Sequence, residues 1–279
     1  MNWGAYWRLM RFHKPVGILL LWYPTAWALW TANKGFPPLG LLALFLVGTT
    51  LMRAAGCVIN DIADRHVDKH VARTKMRPLT SGELRLTDAF AVLICLLFGA
   101  LIVLVNLPAA CFPWALVALV ITFIYPFCKR FFDAPQLVLG LAFSMGIPMS
   151  FVASNVALNS LCLILFVLNF AWIVAYDTMY AMTDIHDDKL IGVRSTAIFF
   201  GRYDLLSIGL LLSLMQALWL CWAFLMAAGP LFFLGWLVAS LILVYQHKLI
   251  KHRVPAACFS AFLISAYYGG VMWIAVMVA

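Results

Sequence analysis

The chain has 279 residues, 65% of them hydrophobic and only 11% charged, with a formal net charge of +8. A soluble domain carries about 25% charged residues, so this composition excludes a soluble globular protein. Apolar stretches of about 20 residues recur along the chain, each long enough to cross a bilayer as a helix.

Nine spans are predicted, at about 16–32, 40–60, 89–106, 110–127, 136–153, 160–182, 204–226, 231–247 and 256–278. The expected fold is an all-α membrane protein, a bundle of about nine transmembrane helices forming a single domain over residues 1–279. The first apolar run is long, lacks a small-residue cleavage site and is followed at once by others, so it reads as a span and not as a cleaved signal peptide. Seven cysteines are scattered singly, nearly all within apolar runs, with no CxxC pair. They read as buried hydrophobes, without a disulfide framework or a thiolate metal site.

Basic residues alternate with the spans. Arg8, Arg11 and Lys14 precede the first, Arg65 to Arg85 follow the second, and Lys129 and Arg130 follow the fourth. Lys189, Arg194 and Arg202 follow the sixth, Lys248, Lys251 and Arg253 follow the eighth, and the intervening loops carry only Lys34. The positive-inside rule therefore puts the N-terminus and the basic loops in the cytoplasm. Anchoring to anionic lipid explains many of these cations without any substrate.

That rule does not account for the acids. Asp61, Asp64 and Asp68 end the second span, in NDIADRHVDKHVARTKMRPLTSG, and Asp177, Asp184, Asp187 and Asp188 end the sixth, in AYDTMYAMTDIHDDKLIGVRSTAIFFG. Asp64/Asp68 and Asp184/Asp188 share a spacing of four and are offset by 120 residues, with Arg73 and Arg194 at nearly that offset. The pattern suggests a duplicated helix bundle. At about 100° per residue, Asp61, Asp64 and Asp68 form one helical stripe, with Asn60 beside it. Asp177, Asp184 and Asp188 form a second, with Tyr180 at its edge. Asp61 and Asp187 divide between support of a ligand site and plain solvation.

Clustered carboxylates in a membrane span are costly and mark functional cavities. Oxygen donors without Cys or His favour a hard cation, and Mg²⁺ takes one or two carboxylates together with waters and substrate phosphates. Two such stripes suit Mg²⁺ and a bridging diphosphate, with Arg73, Arg77, Lys129, Arg130 and Arg194 matching the remaining phosphate charge. A diphosphate carrying a long hydrocarbon tail explains the membrane address; Gly140, Ala142 and Gly146 leave room for a tail or serve helix packing. His66, His70 and His186 lack metal-site spacing and read as lining the mouth. The tryptophans read as interfacial belts or core, and nucleic-acid binding is not indicated.

These motifs resemble the UbiA superfamily of intramembrane prenyltransferases: NDxxDxxxD continued as ARTKMRPLTSG, YDTMYAMTDIHDD, GVRSTAIFFG and the opening FHKPVGILLLWYPTAWAL. The likeness covers essentially the whole chain and is greatest to bacterial members acting on 4-hydroxybenzoate. It implies transfer of a polyprenyl group from polyprenyl diphosphate to the ring carbon ortho to the hydroxyl of 4-hydroxybenzoate, an early membrane step of ubiquinone biosynthesis in the bacterial inner membrane. It further implies that Asn60, Asp64, Asp68, Asp184 and Asp188 bind Mg²⁺–diphosphate and that Tyr125 and Lys129 contact the diphosphate. Arg53 would lie near the aromatic substrate, Asp177 near the reacting centre, and the loops with Arg73 to Arg77 and Lys189 to Arg194 would cap the site. Two alternatives stand beside this: another UbiA-type aromatic prenyltransferase, and a secondary transporter. A transporter places ionisable groups near the bilayer midplane, whereas these acids crowd one face.

Overall fold

The computed structural model describes residues 2–71 and 73–279, and among them all regular structure is helical. A short helix α1 (Trp3–Leu9) precedes α2 (Val16–Asn33), α3 (Leu39–Asp64), α4 (Leu86–Val105) and α5 (Phe112–Cys128). The fifth span is split into α6 (Pro135–Ser144) and α7 (Gly146–Ala153), and α8 (Ser160–Ala181) follows. Two short helices, α9 (Ile185–Ile191) and α10 (Thr196–Phe200), lead to α11 (Asp204–Met226), α12 (Pro230–Ile250) and α13 (Pro255–Met277).

Among the described residues, eight helical stretches are long and apolar enough to cross a membrane. The expected first span, α2, is not one of them. Its 18 residues include Trp22, Tyr23, Pro24, Thr25, Trp27, Trp30 and Thr31, and 13 of the 18 are buried. It packs against α13, α7, α3 and α8, so its surroundings are protein and its composition need not match lipid. Its aromatic residues form the core of the bundle. Trp27 lies 5.2 Å from both Trp172 of α8 and Trp219 of α11, centroid to centroid. Glycine lets α13 close on this cluster: a Cβ at Gly269 would fall 2.3 Å from the Tyr23 ring.

The break in the fifth span has a local cause. Pro148 has no N–H to return to the carbonyl four residues earlier, and the helix is interrupted at Met145. Gly140 and Gly146 serve packing, because a Cβ would fall 2.8 Å from Phe170 at the first and 2.4 Å from Thr25 at the second. Ala142 does line the internal cavity.

Both acidic stripes differ from expectation. The third helix ends at Asp64, and Asp68 belongs to a separate 3₁₀ turn, Asp68–His70. Likewise α8 ends at Ala181, while Asp184 caps α9 and Asp188 lies within it. Each stripe is thus bent where the chain leaves the apolar layer. The ninth helix stops at Gly192, whose φ of 73° is readily adopted only without a Cβ.

Candidate active site

A cavity of 640 Å³ opens between α2, α3, α5, α6, α8 and α13 at the end of the bundle that carries the acids. Its mouth is lined by Asn60, Asp64, Asp68, Asp184 and Asp188, with Arg73, Arg77, Lys129 and Arg194 among the cations around it. Deeper residues are mostly apolar or aromatic, including Leu20, Leu139, Phe143, Tyr176 and Phe262, together with Arg53 and Asp177.

The mouth is a set of cation–carboxylate pairs that joins the two acidic regions. Lys129 Nζ donates to Asp64 Oδ2 at 3.0 Å and to Asn60 Oδ1 at 3.3 Å. Arg77 donates to Asp68 at 2.7 Å, and Arg73, from the loop after the first region, donates to Asp184 of the second at 2.5 Å. Arg73 also lies over the Tyr180 ring, 4.7 Å from its centroid, and Lys129 lies 5.5 Å from that of Tyr125. Burial alone would lower the Lys129 pKa, but Asp64 and Tyr125 outweigh it and hold the ammonium above its ordinary value. Burial, reinforced by the neighbouring Asp184 charge, pushes the Asp188 carboxyl up to about 7.

Among the described residues, no three His, Cys, Asp or Glu side chains are gathered as a preassembled metal site. The donor set nevertheless suits a hard cation that brings its own phosphate ligands. It is entirely oxygen, and it is divided between two regions that meet at the mouth.

About 10 Å below the mouth, at a rise of 1.5 Å for each of seven residues, Arg53 projects from α3 into the cavity. Among the described residues its buried Nε has no hydrogen-bond partner. The guanidinium lies against the α2 backbone at Gly17, where a Cβ would lie 2.4 Å from Nε, and faces the Phe143 ring 5.9 Å away. An unpartnered buried donor costs about 1–3 kcal/mol, so Arg53 is arranged to meet an incoming acceptor.

The profile of the UbiA prenyltransferase family matches residues 21–274. The chain belongs to that family. It is 62% identical to the 4-hydroxybenzoate octaprenyltransferase of Legionella pneumophila strain Lens, over 99% of this chain and 98% of the relative. It is 46% identical to the enzyme of the same name from Serratia proteamaculans strain 568, over 99% of this chain and 95% of the relative. Among solved structures, a UbiA homologue from Aeropyrum pernix K1 superposes with a TM-score of 0.80 at 20% identity, covering 92% of this chain and 96% of the other. A UbiA homologue from Archaeoglobus fulgidus bound to GPP and Mg²⁺ gives 0.71 at 22%, covering 99% and 100%. At these identities the two structures establish the shared fold.

Several expected residues reach the cavity but are engaged with protein partners. Arg194 reaches the rim, but its guanidinium donates to Asp133 at 2.8 Å and to the Phe131 carbonyl at 2.9 Å. Its backbone N–H donates to the Lys129 carbonyl at 3.0 Å, so it braces the loop that carries Lys129. Arg130 donates to the Ala63 carbonyl at 2.9 Å at the end of α3. His66, His70 and His186 are exposed and do not line the cavity, whereas His13 does. Asp61 lines the cavity beside Asp64 and Asp68 but is 1% exposed, its carboxylate paired with Arg11 and Arg77.

Gln136 is a member that sequence reading missed. Buried at the start of α6, it accepts from the Thr196 N–H at 2.8 Å and lines the same cavity as Asp177. Its only sequence signal was an amide within an otherwise apolar span.

Proposed function

We propose that the chain transfers a polyprenyl group from polyprenyl diphosphate to the ring carbon ortho to the hydroxyl of 4-hydroxybenzoate, with residues 1–279 acting as one domain. The observation that carries this reading is the vertical order of the cavity. Paired carboxylates and cations lie at the mouth, and an unpartnered guanidinium lies below them among apolar and aromatic walls. The relatives named 4-hydroxybenzoate octaprenyltransferase, which match nearly the full chain, support the same substrate pair.

In this reading Asn60, Asp64, Asp68, Asp184 and Asp188 hold Mg²⁺, which would neutralise charge on the diphosphate oxygens as the allylic C–O bond breaks. Lys129, with Tyr125 beside it, and Arg73, Arg77 and Tyr180 at the mouth meet the remaining phosphate charge; Arg194 acts through the loop it braces. Each cation that now faces a carboxylate would exchange it for phosphate when the metal–diphosphate enters, so few charges are stranded at any stage. Arg53 holds the benzoate carboxylate by paired hydrogen bonds, which fixes the ring below the allylic carbon. Apolar walls keep water from the developing carbocation. The ring carbon attacks C1 of the prenyl group, diphosphate leaves, and the ring proton departs. Asp177, steadied by Gln136, orients the phenol or accepts that proton.

The basic end of the bundle is read as cytoplasmic, in the inner membrane of a bacterial cell. A transporter reading finds less support, because the ionisable groups lie toward one end of the cavity and the opposite loops carry only Lys34. The test is direct. Membranes containing the protein are incubated with 4-hydroxybenzoate, a polyprenyl diphosphate and Mg²⁺, and the extract is analysed for 3-polyprenyl-4-hydroxybenzoate. Absence of that product from folded protein, with every prenyl length tried, refutes the reading.

A further inference from the structure

Asp61 stands inside the acidic motif and lines the cavity, yet its carboxylate is taken up by two arginines. Its carboxylate is 1% exposed and receives two hydrogen bonds from Arg11, at 2.7 and 3.0 Å. Arg77 lies 3.1 Å from the same carboxylate through NH1, the atom that also reaches Asp68 at 2.7 Å. Three separate segments meet at this one side chain: the N-terminal strap, the end of α3, and the loop that caps the mouth.

The two carboxylates that hold Arg77 are not equivalent. Asp68 lines the mouth and is among the residues read as metal ligands. Asp61 is enclosed and already paired to a second guanidinium. Were a metal–diphosphate to occupy the mouth, Asp68 would be available to the metal and Asp61 would still hold Arg77. The strap is held firmly enough to serve. Arg11 sits at φ 60°, the left-handed turn that ends α1 and aims its side chain at Asp61. Asn2 and Arg8 at its start both bond Glu83 at the far end of the capping loop.

We propose that Asp61 is a positioning residue and not a metal ligand: braced by Arg11, it holds Arg77 over the mouth so that its guanidinium meets the diphosphate. This rests on the reading of the mouth as a diphosphate site. The consequence is specific. Loss of Asp61 weakens prenyl diphosphate binding through Arg77 alone and leaves both the metal requirement and the aromatic subsite as they were.

The experiment is a double-mutant cycle on the full-length protein in detergent, titrated with farnesyl S-thiolodiphosphate in the presence of Mg²⁺. Asp61→Asn and Arg77→Gln are each expected to raise Kd about tenfold or more, the scale of a hydrogen bond to a charged group. The double variant is expected to be no weaker than Arg77→Gln, because the two residues act in series. Half-saturating Mg²⁺ and the KM for 4-hydroxybenzoate should match wild type in Asp61→Asn. A shift in half-saturating Mg²⁺, or losses that add in the double variant, would make Asp61 a ligand in its own right and overturn the proposal. A wild-type Kd with only a lower melting temperature would reduce Asp61 to a structural ion pair and overturn it equally.

Should Asp61→Asn fail to accumulate, Arg11→Gln/Asp61→Asn removes the cation left stranded and is measured against Arg11→Gln under the same criteria. Asp64→Asn separates the two levels of inference. If it and Arg77→Gln both bind the analogue normally, the diphosphate reading fails. If both bind weakly and Asp61→Asn binds normally, only the role given to Asp61 fails.

Discussion

Gly17→Ala tests the aromatic subsite without touching a charged residue. The new methyl would fall 2.4 Å from Nε and from NH2 of Arg53, and 2.8 Å from Cζ. An ordinary carbon–nitrogen contact is about 3.5 Å, so the guanidinium must retreat by about 1 Å. On its far side the Phe143 ring lies 5.9 Å away across the cavity, so the guanidinium can swing off its position. A displacement of that size breaks at least one of two parallel bonds to a carboxylate, at about 1.5–3 kcal/mol for a bond to a charged group. At about 1.4 kcal/mol per decade, the KM for 4-hydroxybenzoate should rise roughly 10- to 100-fold, and the KM for prenyl diphosphate less than twofold. Gly17 is in the first turn of α2, where Ala is compatible with the helix, and thermal melting in detergent checks that the variant is folded. Steady-state kinetics in membranes, with each substrate varied in turn, gives the answer. An unchanged 4-hydroxybenzoate KM in folded Gly17→Ala would refute the placement of the carboxylate at Arg53. The companion Arg53→Lys should recover only part of the loss seen in Arg53→Ala, because an ammonium keeps the charge but not the planar fork.

Other consequences concern the mouth and the topology. Asp64→Asn and Asp184→Asn should each lower turnover about 100-fold or more while preserving membrane insertion; full activity in either would sink the two-region metal–diphosphate arrangement. EDTA should abolish product formation and excess Mg²⁺ restore it, as followed by radiolabelled 4-hydroxybenzoate. Lys129→Met strands Asp64 beside a hydrophobic chain and should depress kcat more than the KM for 4-hydroxybenzoate, which the same kinetics read out. With the seven native cysteines replaced, single cysteines at Lys75 and Leu190 should react with an impermeant maleimide only when it reaches the cytoplasmic side; labelling of both from outside would reverse the orientation.

Sequence by itself determined the spans and the chemistry of the mouth. A bilayer demands about 20 apolar residues per crossing, and that demand makes α3, α8 and α11 to α13 readable within a few residues of their observed ends. The repeated Asp64/Asp68 and Asp184/Asp188 spacing was legible for a related reason: carboxylates are costly at a membrane boundary unless they have work there. Periodicity gives the face on which a side chain lies but not the element opposite it. Only tertiary structure therefore decided that Asp61 is taken up by Arg11 and Arg77, that Arg194 is engaged with Asp133, and that Gln136 accepts from Thr196. It also decided where the helices end, because Asp68 and Asp188 follow turns whose geometry has no period to extrapolate. Arg53 shows the division most clearly. A lone guanidinium within an apolar span announced a function, but that its Nε has no hydrogen-bond partner among the described residues follows from Gly17 and Phe143, brought beside it from other helices.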